Sequence, residues 1–362
     1  MGGPETGLRP DISKGVPMKV SQSLCLGPLV VCVLSMAIAP TVSAQSYKIT
    51  DLGTLGGASS QASAINASGQ ITGYSSTASG VSGGAFEYSG GKMTNLGSLG
   101  GATSLGSGIN ASGQIVGYST LATNSYGAFL YSGGKMTNIG NLGGNYAVAY
   151  AINDFGQVVG YSMTSSGLTH PFLYNRGSMT DLGTLGGNQP GWTSLAAAVN
   201  ATGEIVGYSY LSTGDFRAFL WVNGTMTDLG TLGGDWSQAY GINASGEITG
   251  IAYTKKNLAG HAFLYSGGKM KDLGVLGSAY SWGFAINTAG TVVGQSTVNS
   301  SSEYLVYHAF VYTGGKMQDL NKLIPAKSGW VLTQASGIND SGQIVGYGTV
   351  GSQEHAFLLT PQ

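Results

Sequence analysis

Apolar residues come in short alternating runs along this chain, each stopped by Gly, Asn or Ser. The runs recur as one unit: Ala-Ile-Asn-Ala-Ser-Gly-Gln-Ile-Val-Gly-Tyr, a variable stretch, then Ala-Phe-Leu-Tyr-Ser-Gly-Gly-Lys-Met-Thr-Asp-Leu-Gly-Thr-Leu-Gly-Gly. Its Asn stands at Asn66, Asn110, Asn153, Asn200, Asn243, Asn287 and Asn339, with steps of 44, 43, 47, 43, 44 and 52 residues. Period-two alternation with turn residues between predicts four short strands per unit. In the first copy these are 63–65, 70–75, 85–88 and 93–96. Asn66-Ala67-Ser68-Gly69 suits a type I turn with a Gly bulge, and Gly90-Gly91 (Asn223-Gly224 in the fourth copy) suits a two-residue hairpin.

Four antiparallel strands in about 45 residues match a propeller blade. The expected fold is all-β, a seven-bladed β-propeller of four-stranded antiparallel blades. The seventh unit stops at Phe357-Leu358-Leu359 without a fourth strand, whereas Tyr47-Lys48-Ile49-Thr50-Asp51-Leu52-Gly53 reads as a fourth strand with no unit before it. The N-terminal strand is therefore expected to complete the last blade and close the ring, which removes free sheet edges. The triplets His261-Ala262-Phe263, His308-Ala309-Phe310 and His355-Ala356-Phe357, with His170-Pro171-Phe172 and Arg217-Ala218-Phe219 as variants, resemble those of the extracellular HAF-repeat proteins. The resemblance covers residues 45–362. It implies an exported bacterial repeat protein and carries no particular activity.

Composition narrows the class. Of 362 residues 62 are Gly and 9% are charged, and the net charge is −1. Gly has no three-residue period, which excludes collagen. The charge is too small for a nucleic-acid partner, and the 42% apolar content is too high for a disordered chain. Met18-Lys19, the apolar run 24–40 and the small residues Val42-Ser43-Ala44 read as a secretory signal cleaved after Ala44, with 1–17 an upstream extension. The expected product, 45–362, is one secreted repeat domain without a membrane span, extracellular or periplasmic, and a monomer. Cys25 and Cys32 fall in the leader, so no disulfide or Cys-ligated metal is expected, and no cofactor.

Strand order puts the two tight turns of each unit on one face. The loops after the second and fourth strands lie on the other face and vary in length. Loops on a rigid scaffold are where binding residues collect. Trp192, Trp236, Trp282 and Trp330 all fall between a fourth strand and the next first strand. With Tyr304 they are the expected contacts for a glycan or a protein partner, joined in the same class of loop by Tyr126, Tyr146, Phe216, Tyr253, Tyr280 and Tyr307. Aromatic rings with few charges nearby suit stacking on sugars or an interface core.

Other chemistry reads as structural. His170, His261, His308 and His355 occupy one position of the unit, so in a ring they stand roughly 10 Å apart or more and cannot share a metal. Each is expected to play a structural role, such as a ring N–H bonding a neighbouring loop carbonyl. Asp51, Asp181, Asp228, Asp272 and Asp319 recur, with Asn95 and Asn138 replacing them twice, which fits backbone bonding rather than catalysis. Asp215, Asp235, Glu303 and Glu354 fall in the variable loops as weak acid candidates, but no spacing pairs them as a glycosidase requires. The leading expectation is a non-catalytic exported scaffold. The alternatives are a carbohydrate-active hydrolase or lyase, and a structural cell-surface or matrix protein.

Overall fold

The computed structural model describes residues 45–78, 82–299 and 305–362. The predicted leader lies outside them, as do Glu303 and Tyr304. Every repeat but the last supplies four strands to an antiparallel sheet. In the first, Gly56–Ile65 pairs with Ile71–Thr77, which pairs with Gly83–Ser89, which pairs with Lys92–Asn95. The same order holds through the sheet that ends at Lys316–Asp319. The last set is Trp330–Ile338, Ile344–Val350 and Gln353–Pro361, and Tyr47–Asp51 pairs antiparallel with its outer member. One parallel bridge, Ser59 to Glu354, joins that set to the first.

The first strand of each repeat is longer than its pattern predicts. In the first copy it begins at Gly56, not Ser63. The Gly-Gly pair before it, read from sequence as loop, belongs to the ladder. Gly56 takes φ +97° and pairs with Thr77, and a Cβ on Gly57 would come within 2.3 Å of Ser76 Oγ. Only Gly allows both the left-handed turn and this approach.

Second-strand Gly residues set the spacing to the first strand. A Cβ at Gly73 would lie 2.0 Å from the Gln61 carbonyl oxygen, and at Gly117, Gly160, Gly207, Gly250, Gly294 and Gly346 the distances are 1.8–2.0 Å. Beside them lie the third-strand rings Phe86, Phe129, Phe172, Phe219, Phe263, Phe310 and Phe357, all completely buried. The apolar cores sit between neighbouring sheets rather than within one. Ala85 and Leu96 of the first repeat pack with Ile109, Ile115 and Phe129 of the second. Val345 and Ala356 of the last repeat pack with Ala62, Ile71 and Phe86 of the first.

The turn after the first strand supplies a second link between repeats. Asn66 is 5% exposed. Its Oδ1 accepts from the N–H groups of Ser68 and Gln70 at 3.1 and 2.9 Å, which fixes its own turn. Its Nδ2 donates to the Asn110 carbonyl at 2.9 Å. Asn110 donates to Asn153, Asn153 to Asn200, Asn200 to Asn243, Asn243 to Asn287 and Asn287 to Asn339, at 2.9–3.3 Å. Asn339 returns to the Asn66 carbonyl at 3.1 Å.

In Asn153→Ala the buried Asn200 carbonyl and two turn N–H groups lose their partner. A buried unsatisfied group costs about 1–3 kcal/mol, so the substitution is expected to destabilise by about 2–3 kcal/mol in chemical denaturation. A loss below about 0.5 kcal/mol, the size of an ordinary surface change, would show that the circuit contributes little.

Candidate functional site

The first strands line a channel, a run of cavities whose wide end has about 410 Å³ and which continues through a smaller cavity to one lined by Asn66, Asn110 and Asn153. One feature of the fold decides which side chains reach it. Every first strand carries a β-bulge three residues before its Asn: the register shifts across Ser63, Ser107, Tyr150, Ala197, Tyr240, Phe284 and Ser336. A bulged residue leaves the ladder and its side chain is re-aimed. All seven line the channel. Ala or Gly flanks each of them, because the strands converge. A Cβ at Gly106 would lie 2.0 Å from Thr72 Oγ1, and one at Gly108 would lie 2.9 Å from the Tyr150 carbonyl.

The channel wall is uneven. Ser336, Ser63 and Ser107 come from consecutive repeats, counting across the Asn339–Asn66 bond. Tyr150, Tyr240 and Phe284 lie on the other side, with Tyr208 from a second strand lining the stretch where Ala197 is small. Gln61, Gln238 and Gln334 sit at the wide end. Tyr240 donates to Gln238 Oε1. Tyr347 donates to Gln334 Oε1 at 3.3 Å, Gln334 donates to Ser336 Oγ at 3.1 Å, and Gln61 donates to Glu354 at 2.8 Å. Burial pushes the Tyr208 phenol up to about 12 and those of Tyr150 and Tyr240 higher still. These phenols stay neutral donors at any physiological pH.

Three of the four expected Trp contacts belong to a second feature, an aromatic arc. Trp192 stacks on Tyr210 with centroids 4.8 Å apart. The arc continues through Phe216 (5.5 Å), Trp236 (5.1 Å), Tyr253 (3.9 Å) and Tyr280 (6.5 Å). It ends with Trp282 and Tyr307, each 5.8 Å from the ring before it. Trp236 and Trp282 lie inside first strands, Gly233–Ile242 and Ser281–Ile286, rather than in loops. For Trp236 the reason is the Gly-Gly entry described above, which extends its strand back to Gly233; the strand of Trp282 has no such pair and begins at Ser281, one residue before the ring. Trp192 does sit in an irregular stretch, ahead of the short strand Leu195–Val199. Trp330 opens the strand Trp330–Ile338, packs edge-on against buried Phe357 at 6.2 Å and belongs with the core beside it.

The carboxylates are dispersed. Thr213 bonds Asp215 at 3.1 Å in a hairpin turn, Asn257 bonds Asp235, and Gln61 bonds Glu354. The three lie on three different repeats, each engaged by its own neighbour. Among the described residues no group of three or more His, Cys, Asp or Glu gathers to hold a metal.

The histidines each bond a carboxylate of the fourth strand, where the sequence suggested a partner such as a loop carbonyl. His170 meets Asp181 at 2.8 Å, His261 meets Asp272 at 2.8 Å, His308 meets Asp319 at 2.9 Å and His355 meets Asp51 at 2.9 Å. Arg217 stands 4.0 Å from Asp228. The two repeats with Gly84 and Gly127 at this place carry Asn95 and Asn138 opposite. Asp and Asn alike accept from the Gly N–H two residues on, at 2.8 Å for Asp51 and 2.9 Å for Asn95. The carboxylate is therefore present only where a His or Arg side chain faces it. A channel residue was equally hard to see: Ala-x-Ala-Ile-Asn reads as an ordinary strand, although x is the one position of that stretch that changes character between copies.

No family model matches the chain, and no curated protein matches it. Among solved structures it resembles the β-propeller domain of the trilobed protease from Pyrococcus furiosus, at TM-score 0.52 and 9% identity over 88% of this chain and 95% of that one. It also resembles the acylaminoacyl peptidase of Pyrococcus horikoshii, at TM-score 0.50 and 11% identity over 86% of this chain and 53% of that one. A weaker likeness, to TolB from Acinetobacter baumannii, has TM-score 0.46 and 9% identity over 81% of this chain and 63% of that one. The chain thus spans less than two thirds of the peptidase and of TolB. At these identities the likeness gives the fold, that of a β-propeller. No helix among the described residues is long and apolar enough to cross a membrane.

The His170–Asp181 pair carries a pH dependence. The carboxylate raises the His170 pKa above its ordinary 6.5, against the lowering effect of partial burial. Burial works to raise Asp181, but the bonds from His170 and the Gly183 N–H outweigh it and hold the carboxyl below 3.8. The histidine contribution is complete below its unfolded value of 6.5 and is lost as pH rises through the folded one. The aspartate contribution is complete above 3.8 and is lost as pH falls. Thermal unfolding should therefore place the full worth of the pair between these limits, with Asp181→Asn flattening the profile. Asp181 is 41% exposed, so solvent screening limits the effect to about 0.5–1 kcal/mol. Identical profiles for wild type and variant would refute the assignment.

Proposed function

We propose that this protein is an exported, non-catalytic binding scaffold that holds a glycan on its variable-loop face. In this reading it is a seven-bladed ring closed by Tyr47–Asp51. The Asn339–Asn66 bond, the pairing of Asp51 with His355, and the core shared by the last and first repeats support closure. The leader ending at Ala44 and the resemblance to HAF-repeat proteins support export.

The observation that carries the binding reading is the arc of eight rings from Trp192 to Tyr307, half-buried and spread over three consecutive repeats. Rings held edge to face and stacked on one another are preorganised, so little is lost in ordering them against a ligand. Their faces suit the apolar faces of successive sugar units. The scattered carboxylates give an enzyme reading no comparable support.

The exported protein is expected to bind a subset of neutral saccharides on a glycan array. Trp192→Ala and Trp282→Ala should each weaken that binding at least tenfold, about 1.4 kcal/mol, with the fold retained. Trp330→Ala should lower the unfolding midpoint and leave affinity unchanged. A blank array with folded wild-type protein would overturn the glycan reading and turn attention to a protein partner captured from the cell surface.

A further inference from the structure

The seven bulged residues form a ring that the aromatic arc does not explain. A scaffold that only filled its axis would repeat one side chain seven times, as it repeats the buried Phe and the Asn. Here the flanking residues stay Ala or Gly while the bulged one changes among Ser, Tyr, Ala and Phe. The variation is also sorted, with hydroxyls on one side and aromatic rings on the other. From this geometry we infer that the wide end of the channel is a separate binding site for one uncharged, hydroxyl-rich unit the size of a single sugar.

Four observations define the ligand. The cavity, about 410 Å³, falls in the range of about 300–1,000 Å³ usual for small-molecule sites. None of its lining residues is charged, and Glu354 beside it is held by Gln61. A charged group entering it would lose hydration with no counter-ion to replace it. Aromatic rings gather on the side of Tyr150, Tyr240 and Phe284, while hydroxyl and amide groups are spread around the wall, Gln238 among those rings and Tyr347 beside Ser336, which suits a pyranose with one apolar face and a rim of hydroxyls. Lastly, Gln238, fixed through its oxygen by Tyr240, offers amide donors at this cavity.

The channel also meets the arc. Tyr208, in the channel wall, lies 5.6 Å from Phe216 of the arc. On the glycan reading above, on which this clause rests, a chain laid across the arc would deliver its terminal unit into the channel. The protein would then recognise chain ends rather than chain interiors.

The test titrates the exported protein with glucose, galactose, mannose, fucose and N-acetylglucosamine, each alone, by calorimetry and saturation-transfer NMR. At least one should bind saturably, with contacts to the Tyr150 and Tyr240 ring protons in wild type, and glucuronate should bind more weakly than glucose. Ser107→Leu and Ser63→Phe fill the hydroxyl side from two repeats, and either folded variant should weaken binding at least tenfold. Trp192→Ala should leave monosaccharide binding within twofold while weakening array-positive oligosaccharides. The channel site is overturned if no monosaccharide saturates wild type, if the ring contacts fall elsewhere, or if binding survives a folded filled variant. Array binding that persists without monosaccharide binding would refute the channel and leave the arc standing. Monosaccharide binding that the fillers remove, with a blank array, would do the reverse.

Discussion

The constraint on which the rest depends is the buried Asn at the end of each first strand. Its carboxamide has an acceptor that holds its own turn and a donor that holds the next repeat. No other short side chain offers both at that reach. Asp lacks the donor, and Ser cannot span the two strands. Local turn and inter-repeat spacing are thus set by one group, so the first strands are drawn to a common axis. The small residues beside the bulge and the Gly of the second strand follow from that convergence.

Convergence also explains where the apolar surface goes. A four-stranded sheet alone is too small to bury both faces. Here each face is covered by the next repeat, and the third-strand Phe, packed against the backbone of a second-strand Gly, fills the gap. The His-Ala-Phe triplet divides the labour. Phe and Ala are core, while His stands at the rim and holds the fourth strand through its Asp. That the His of the last repeat meets Asp51, some three hundred positions earlier in the chain, applies the same rule between the two ends of the sequence.

Much of this was legible in the sequence because a repeat reports its own constraints. Seven copies of Asn with Gly three and seven positions later fixed the turns and four strands per unit. The arc was half legible: the Trp residues were found, but the first strands were read as starting later than they do, at a Gly-Gly pair in the case of Trp236, which put Trp236 and Trp282 in loops. Gly at positive φ can enter a ladder as well as leave one, and one sequence does not separate the two. The His–Asp pairs left a readable trace, since Gly84 and Gly127 coincide with Asn95 and Asn138. The channel residues left the faintest trace. A bulge breaks period-two alternation, and the strand was read as unbroken.

The bulges have a consequence for how such a molecule can change. A side chain in a ladder or a core is constrained by its neighbours, so altering it disturbs the scaffold. The bulged residue has left the ladder, and its neighbours are too small to crowd it. Shape at the axis is thereby uncoupled from the strength of the frame. These positions can be rewritten copy by copy with little demand on the ladder, coupled chiefly to one another where their rings meet, as Tyr240 and Phe284 do at 5.5 Å. Duplication ordinarily yields sameness; here it yields a row of changeable letters set in a fixed type.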